Sequence, residues 1–224
     1  MSPAWEALLV LEDGTAFRGE AFTAAPATVA GEVVFNTAMG GYQGGPDRSP
    51  SYAGQLVTMA APEVGTATAP PRADAESDKV QVAAFLVRQA ARRPSSWRAE
   101  RSLAEELEAA GVPGVEGLDT RRLVRHLRQR GAARRPLDRG RRPRAAARAR
   151  PGRLDPNGLA MVDQVTRAAP VELPADGDEH LRVVLYDFGA RPTSPGGCAG
   201  SGPGCGSCRP PPRPPRRWPG APTG

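Results

Sequence analysis

An α/β fold of α+β character, strands first and helices after them, is predicted for residues 5–131. Two observations carry that reading. Short β-branched or apolar runs bounded by turn residues fill the first ninety positions, and two capped amphipathic segments follow them. A third observation marks where the pattern stops: past residue 131 the text becomes rich in Arg, Pro and Gly.

The elements follow in chain order. Ala7–Leu11 and Glu32–Phe35 are strand-like runs. Between them lie a turn at Glu12–Thr15 and a third strand, Ala16–Ala21. "GQLVTMAAP" at 54–62 and "KVQVAAFLVRQ" at 79–89 predict further strands. Ser102 is placed to cap "LAEELEAAGV", where Leu103, Leu107 and Ala110 share one face. Asp119 is placed to cap "TRRLVRHLRQRG", with Leu123, Val124 and Leu127 apolar and Gly131 as the stop. Leu181–Phe188 is an apolar run of the kind buried in a parallel sheet.

The net charge of +6 suggests polyanion binding until it is located. Residues 132–153 carry nine Arg and one Asp, and 191–224 carry five Arg and no acid, so the remainder nets −7 (6 less 8 less 5). Both patches are almost devoid of large apolar residues. They are predicted to be low-complexity and disordered, because they bury too little surface to offset chain entropy. The expected organisation is therefore a domain at 5–131, an Arg/Pro/Ala-rich segment at 132–153, a linker-like stretch at 154–180, a lone strand at 181–190 and a tail at 191–224.

Several function classes are weighed down by the residues. No apolar run is long enough to span a bilayer, and the opening residues have neither a charged n-region nor an apolar h-region, so the expectation is a cytoplasmic chain. Cys198, Cys205 and Cys208 show C-x6-C-x2-C spacing, but a structural zinc site needs four ligands and no fourth is near, so no metal is expected. "GSGPG" lacks the Lys, strand and helix of a phosphate loop. Asp119 with Arg121 and Arg122 reads as a capped helix start with a solvated face. His126 reads as a partly exposed surface residue, and Trp5 and Trp97 as packing residues.

Six blocks carry a resemblance: "LVLEDGTAFRGEAF" (9–22), "GEVVFNTAMGGYQ" (31–43), "PSYAGQLVTMAAPEVG" (50–65), "DAESDKVQVAAFLVR" (74–88), "LDTRRLVRHLRQRGA" (118–132) and "VVLYDFGA" (183–190). In this order the chain resembles the small subunit of glutamine-hydrolysing carbamoyl-phosphate synthase. The resemblance implies an N-terminal β/β/α domain followed by a flavodoxin-like class I glutamine amidotransferase domain, of which only the first strand is legible. It implies hydrolysis of the glutamine amide by a Cys-His-Glu triad, with ammonia passed to a large subunit. That subunit, not this chain, uses ATP and Mg to make carbamoyl phosphate, which feeds arginine and pyrimidine biosynthesis. The family's nucleophile sits in a Gly-Ile-Cys-Leu-Gly turn that this chain lacks. Cys205 has no flanking strand or helix, and neither His126 nor His180 has a matching context. No catalytic residue is assigned, and the chain by itself is expected to be catalytically silent. One functional residue carries over: Ser51, in Pro50-Ser51-Tyr52, whose family counterpart contacts the bound glutamine. Read without the resemblance it is a turn residue after proline.

The break after 190 has a specific form. Where the family continues with a basic residue and Asn-Ile, this chain has Arg191-Pro192-Thr193-Ser194. Thr and Ser codons read one base earlier give NAC and NTC, which are Asn and Ile where N is adenine. The use of 29 Arg against one Lys, Lys79, fits a GC-rich gene whose displaced frame yields Arg, Pro, Gly and Ala. The patches at 44–49, 66–73 and 132–153 invite the same reading, with real insertions as the alternative. Two rival functions stay open: a basic protein associating with nucleic acid through its Arg-rich arms, and a docking-only module for the large subunit. The scarcity of aromatic residues in the arms, Trp218 excepted, weighs against the first.

Overall fold

Alternation sets the first strand, β1 (Trp5–Val10): Ala7 and Leu9 bury toward one side, Leu8 and Val10 toward the other. Leu11 continues the first set. The computed structural model describes residues 5–24, 28–39, 49–66, 77, 79–96, 99, 101–130, 133–134, 137–139, 161–172, 184–190 and 208–209. Two units divide the chain, 1–159 and 160–224.

In the first unit β1 turns through Glu12–Thr15 into β2 (Ala16–Ala21), an antiparallel hairpin pairing Trp5 with Ala21 through Val10 with Ala16. β3 (Thr28–Val29), β4 (Glu32–Asn36), β5 (Leu56–Met59), β6 (Ala84–Leu86) and β7 (Gly114–Glu116) follow. The last four run parallel as β4-β5-β6-β7, and β7 joins the hairpin through β2. Gly19 is required where β2 passes β7: a Cβ there would stand 2.5 Å from the Glu116 carbonyl oxygen.

Two short strands complete the sheet, β8 (Ala133–Arg134) and β9 (Leu137–Arg139). Thr28 faces Asp138, Val29 faces Leu137, Glu32 faces Arg134 and Val33 faces Ala133. Each step forward on one stretch is a step back on the other, so these pairs form one antiparallel ladder in one register. β9 also pairs with β1, Ala7 opposite Arg139 through Leu9 opposite Leu137. The nine-stranded sheet thereby returns on itself as a barrel. Composition predicts no regular structure for 132–153, yet its opening residues make this closure. Ladder bonds use the backbone, which every residue carries, and closure satisfies the edges of β1 and β4.

The closed sheet has two apolar faces. Inward, Leu9, Phe17, Val33, Leu56, Leu86 and Val115 meet Leu123 and Leu127 of α2 (Thr120–Arg130). On the other side of the parallel strands, Val57, Met59, Phe85 and Val87 pack on Leu103 and Leu107 of α1 (Leu103–Ala109). Each such leucine contributes about 1.5–3 kcal/mol by leaving water.

Both helix caps agree with the sequence. The Ser102 hydroxyl accepts from Glu105 N–H, and the Glu105 carboxylate accepts from Ser102 N–H at 2.7 Å, a capping box. The Ser102 amide first, then its hydroxyl and the Arg101 charge, hold the Glu105 carboxyl below its ordinary range. α1 stops earlier than expected, because Gly111 turns left-handed at φ 67° and the Val112 amide closes back on the Leu107 carbonyl. Asp119 caps α2, accepting from Arg122 N–H at 2.9 Å.

Polar contacts fasten α2 to the β1–β2 hairpin. Arg122 donates to the Ala16 carbonyl at 3.0 Å and lies 4.4 Å from the centre of the Phe17 ring. His126 Nε2 lies 2.9 Å from Asp13 Oδ2, while Asp13 Oδ1 accepts from Thr15 N–H. His126 is partly exposed, as expected, and is in addition a partner of the hairpin turn, a contact its flanks do not announce. The Thr15 amide above all, then the Thr15 side chain and the His126 ring, outweigh desolvation and hold the Asp13 carboxyl below its ordinary range.

The second unit has its own anchor. It contains α3 (Met161–Val165), β10 (Leu185–Tyr186) and β11 (Cys208–Arg209), the two strands being parallel. Asp187 is 1% exposed. Its carboxylate accepts from the amides of Gly189, Ala190 and Arg167 at 2.8, 2.7 and 3.2 Å, with the Arg167 guanidinium 3.6 Å away. Among the described residues of the apolar run predicted at 181–188, Leu185–Tyr186 is strand, and Val184, Tyr186 and Phe188 are exposed; residues 181–183 lie outside the described residues. Most of the tail 191–224, with Cys198 and Cys205, lies outside the described residues, as do His180 and Trp97.

Two predictions follow from this packing. By the two-residue alternation Thr58 stands on the Leu56 face, and its hydroxyl is buried without a hydrogen-bond partner. Thr58→Val should raise stability by about 1 kcal/mol, read as a higher urea midpoint with unchanged slope. Because the folded-state pKa of Asp13 is depressed, its contribution is present above the unfolded carboxylate value of about 3.9 and is lost as pH falls through the folded value. Asp13→Asn should therefore destabilise by under about 1 kcal/mol at neutral pH, since the pair is partly exposed, and by nothing measurable near pH 2.

Candidate functional site

Ser51 sits in the middle of a 3₁₀ turn, Pro50–Tyr52, that leads into β5. Proline at its first position presets the backbone angle the turn needs. Ser49 before it is extended and fully buried, which roots the turn in the protein. The Tyr52 amide donates to the Ser49 carbonyl at 3.0 Å, Ala53 to Pro50 at 3.2 Å and Gln55 to Tyr52 at 3.0 Å. Two further bonds tie the turn to its neighbours: Gly54 N–H to the Gln81 carbonyl at 3.1 Å, and the Gln55 side chain to Glu32 at 2.8 Å.

Asn36, at the end of β4, joins this turn to the next loop. Its side-chain amide donates to the Tyr52 hydroxyl at 3.0 Å, and its carbonyl oxygen accepts from Ala38 N–H at 2.7 Å. Thr37, Ala38 and Met39 are exposed there, Met39 at 86%. Ser51 is exposed too, and its hydroxyl makes no hydrogen bond to any described residue. A turn tied down by these bonds thus presents a hydroxyl free to donate and accept, which suits contact with a polar group. Sequence reasoning selected Ser51 but missed Asn36, whose sequence neighbourhood signals only the end of a strand.

The other candidates separate from this turn. Asp119 serves the helix start and Arg121 is solvent-exposed, as expected, whereas Arg122 is spent on the hairpin, a contact the sequence does not announce. No group of three or more His, Cys, Asp and Glu suited to a metal occurs among the described residues. No helix among them is long and apolar enough to cross a membrane.

Comparison with known proteins bears directly on this geometry. Residues 9–137 match the family model described as "Carbamoyl-phosphate synthase small chain, CPSase domain". That match ends on β9, the strand that completes the barrel. The carbamoyl phosphate synthase small chain of Streptomyces coelicolor is 42% identical over 192 residues, 84% of this chain and 50% of the relative. That of Nitratidesulfovibrio vulgaris (Hildenborough) is 43% identical over 202 residues, 88% of this chain and 50% of the relative. That of Maridesulfovibrio salexigens is 50% identical over 129 residues, 58% of this chain and 34% of the relative. The chain thus spans about half the length of the curated relatives it matches. With a domain-length match over the barrel and identity above 40% across most of its residues, this chain belongs to the carbamoyl-phosphate synthase small-chain family.

Proposed function

We propose that this chain carries the N-terminal, subunit-docking half of a glutaminase subunit of carbamoyl-phosphate synthase. In the intact enzyme the small subunit hydrolyses glutamine and the ammonia passes to the large subunit, where bicarbonate and ATP convert it to carbamoyl phosphate. This chain supplies the barrel and the Ser51 turn, and it lacks the family's nucleophile turn. Its own part is to bind the large subunit and to complete a glutamine pocket from outside the catalytic domain; it does not hydrolyse glutamine by itself.

The observation that supports this reading best is the Ser51 hydroxyl, exposed and unpartnered on a turn held by a buried root and six hydrogen bonds. A turn serving only the fold gains nothing from holding a free hydroxyl in so fixed a place. Preorganisation of this kind lowers the ordering cost of binding a polar ligand.

Three measurements test the proposal. Mixed with the large subunit, the full chain should co-elute with it and show no glutaminase activity; failure to co-elute sinks the docking role. In a chimera joining residues 5–139 to the remaining half of the Streptomyces coelicolor small chain, Ser51→Ala should raise the glutamine KM by about 3–10-fold, the worth of one neutral hydrogen bond. Ammonia-dependent synthesis should stay unchanged, and an unaltered KM removes Ser51 from the pocket. Finally, we propose that the text after Ala190 is displaced from its reading frame. The DNA beyond codon 190, translated in the other two frames, should spell Asn-Ile and, downstream, a cysteine-bearing Gly-rich turn.

A further inference from the structure

Helix α2 opens the most basic stretch of the chain. Thr120, Leu123 and Leu127 are buried, Arg122 holds the Ala16 carbonyl and the Phe17 ring, and His126 holds Asp13. Arg121, Arg125, Arg128 and Arg130 are all exposed, and no carboxylate of the described residues lies within ion-pair reach of any of them. Residues 120–153 together carry 14 Arg and one acid, Asp138, a net of +13 over 34 residues. Outside that stretch and the tail 191–224 the chain nets −12 (6 less 13 less 5).

The packing of α2 does not account for its free arginines. Arg121, Arg125 and Arg128 stand at i, i+4 and i+7, one line about 10 Å long on the outer side of the helix. Like charges at that spacing weaken a helix, and Arg121 lies in the first turn, where the helix dipole opposes a cation. The dipole favours only Arg128 and Arg130 at the other end. Nor does the basic text stop with the helix. Three residues past Arg130 the backbone enters β8, and β8 and β9 pair with β4, β1 and β3, which anchors the start of the Arg-rich segment to the barrel. Row and segment are thus tethered within a few residues, so a ligand held by one meets the other at high effective concentration.

We infer that the α2 arginine row and the segment 132–153 form one binding surface for the phosphate backbone of a nucleic-acid duplex. Charge density and length choose the occupant. A duplex carries one negative charge per roughly 1.7 Å of its axis, so the 10 Å row by itself faces about six phosphates, and the segment extends that match along the same polyanion. Release of condensed counterions then drives binding, and the arginine fork takes phosphate oxygens in pairs. A lipid surface fits less well, because a helix lying on it inserts an apolar face. Leu123 and Leu127 are spent in the core, and Leu137 is the one large apolar residue of 132–153. Residues 120–153 contain no Phe, Tyr or Trp, which removes the base stacking that single strands rely on. What is left is a duplex held through its backbone, without regard to base sequence.

The test titrates the full chain into a labelled mixed-sequence DNA duplex of about 20 base pairs, read by fluorescence anisotropy between about 50 and 300 mM salt. Wild type should bind with a log–log salt slope steeper than about −3, since each phosphate contact adds about 0.9. Arg121→Gln/Arg125→Gln/Arg128→Gln should weaken binding at least about tenfold at the lowest salt and make the slope shallower by about 2.7. Arg141→Gln/Arg142→Gln/Arg144→Gln should do the same. The charge-keeping Arg121→Lys/Arg125→Lys/Arg128→Lys chain should retain the slope, which separates lost charge from a lost fold, and the exposed control Arg92→Gln/Arg93→Gln should leave it unchanged. An RNA duplex of the same sequence, titrated in parallel, tells the two sources of backbone apart, the tighter binder being the one assigned. No duplex binding at the lowest salt, or a wild-type slope in either Gln triple, overturns the inference. An α2 Gln triple that keeps the duplex but loses the large subunit overturns it and assigns the face to a protein. Loss of the duplex to phosphatidylserine vesicles at equal phosphate concentration overturns it in favour of a membrane surface. The reading under Proposed function is tested by co-elution and KM, so it stands or falls separately.

Discussion

The closing ladder between 28–36 and 133–139 is the constraint on which the first unit depends. Without it β1 and β4 are open edges, and a sheet with open edges need not curl. With it, the inner face becomes an enclosed interior in which Leu9, Val33, Leu56 and Leu86 are all fully buried. The ladder joins stretches about a hundred residues apart, so the barrel closes only when both ends of the unit are in place. The backbone of an arginine-rich segment is therefore structural.

Closure also explains how the Ser51 turn is held. The parallel strands β4 and β5 lie side by side because the barrel fixes their register, Asn36 opposite Met59. That register brings Asn36 within reach of the Tyr52 hydroxyl and Glu32 within reach of Gln55. Ser51 is thereby carried on a turn clamped at both ends while its own hydroxyl stays free. α2 contributes from the far side of the interior, where Leu123 and Leu127 fill the inner face and the Asp13 and Phe17 contacts fix its rotation. The same rotation turns the free arginines outward.

Much of this was legible beforehand because it is local. Ser102 with Glu105 three residues on, and Asp119 before an apolar stripe, announce helix starts whatever surrounds them. The two-residue alternation of β1 and the Glu-Asp-Gly-Thr turn announce the hairpin. The turn at Pro50–Tyr52 was legible because proline presets its backbone angle. The misses are contacts across long separations. β7 is three residues, Gly114–Glu116, too short to show a period, and it exists because β2 and β6 flank it. Asp13 with His126, and Asn36 with Tyr52, are polar pairs whose members carry no mark of each other in the chain.

By itself, the sequence determined the alternation that makes strands, the caps that start helices, the family to which the blocks conform and the absence of the family's nucleophile turn from the text. These are properties of neighbouring residues, and short-range sterics and hydrogen bonding settle them. Only the tertiary structure decided that an arginine-rich stretch completes a barrel, that His126 is spent on Asp13 and that four arginines of α2 are spent on nothing within reach. Those outcomes depend on which backbone and side-chain groups arrive side by side after folding, and proximity in space is not written in proximity along the chain.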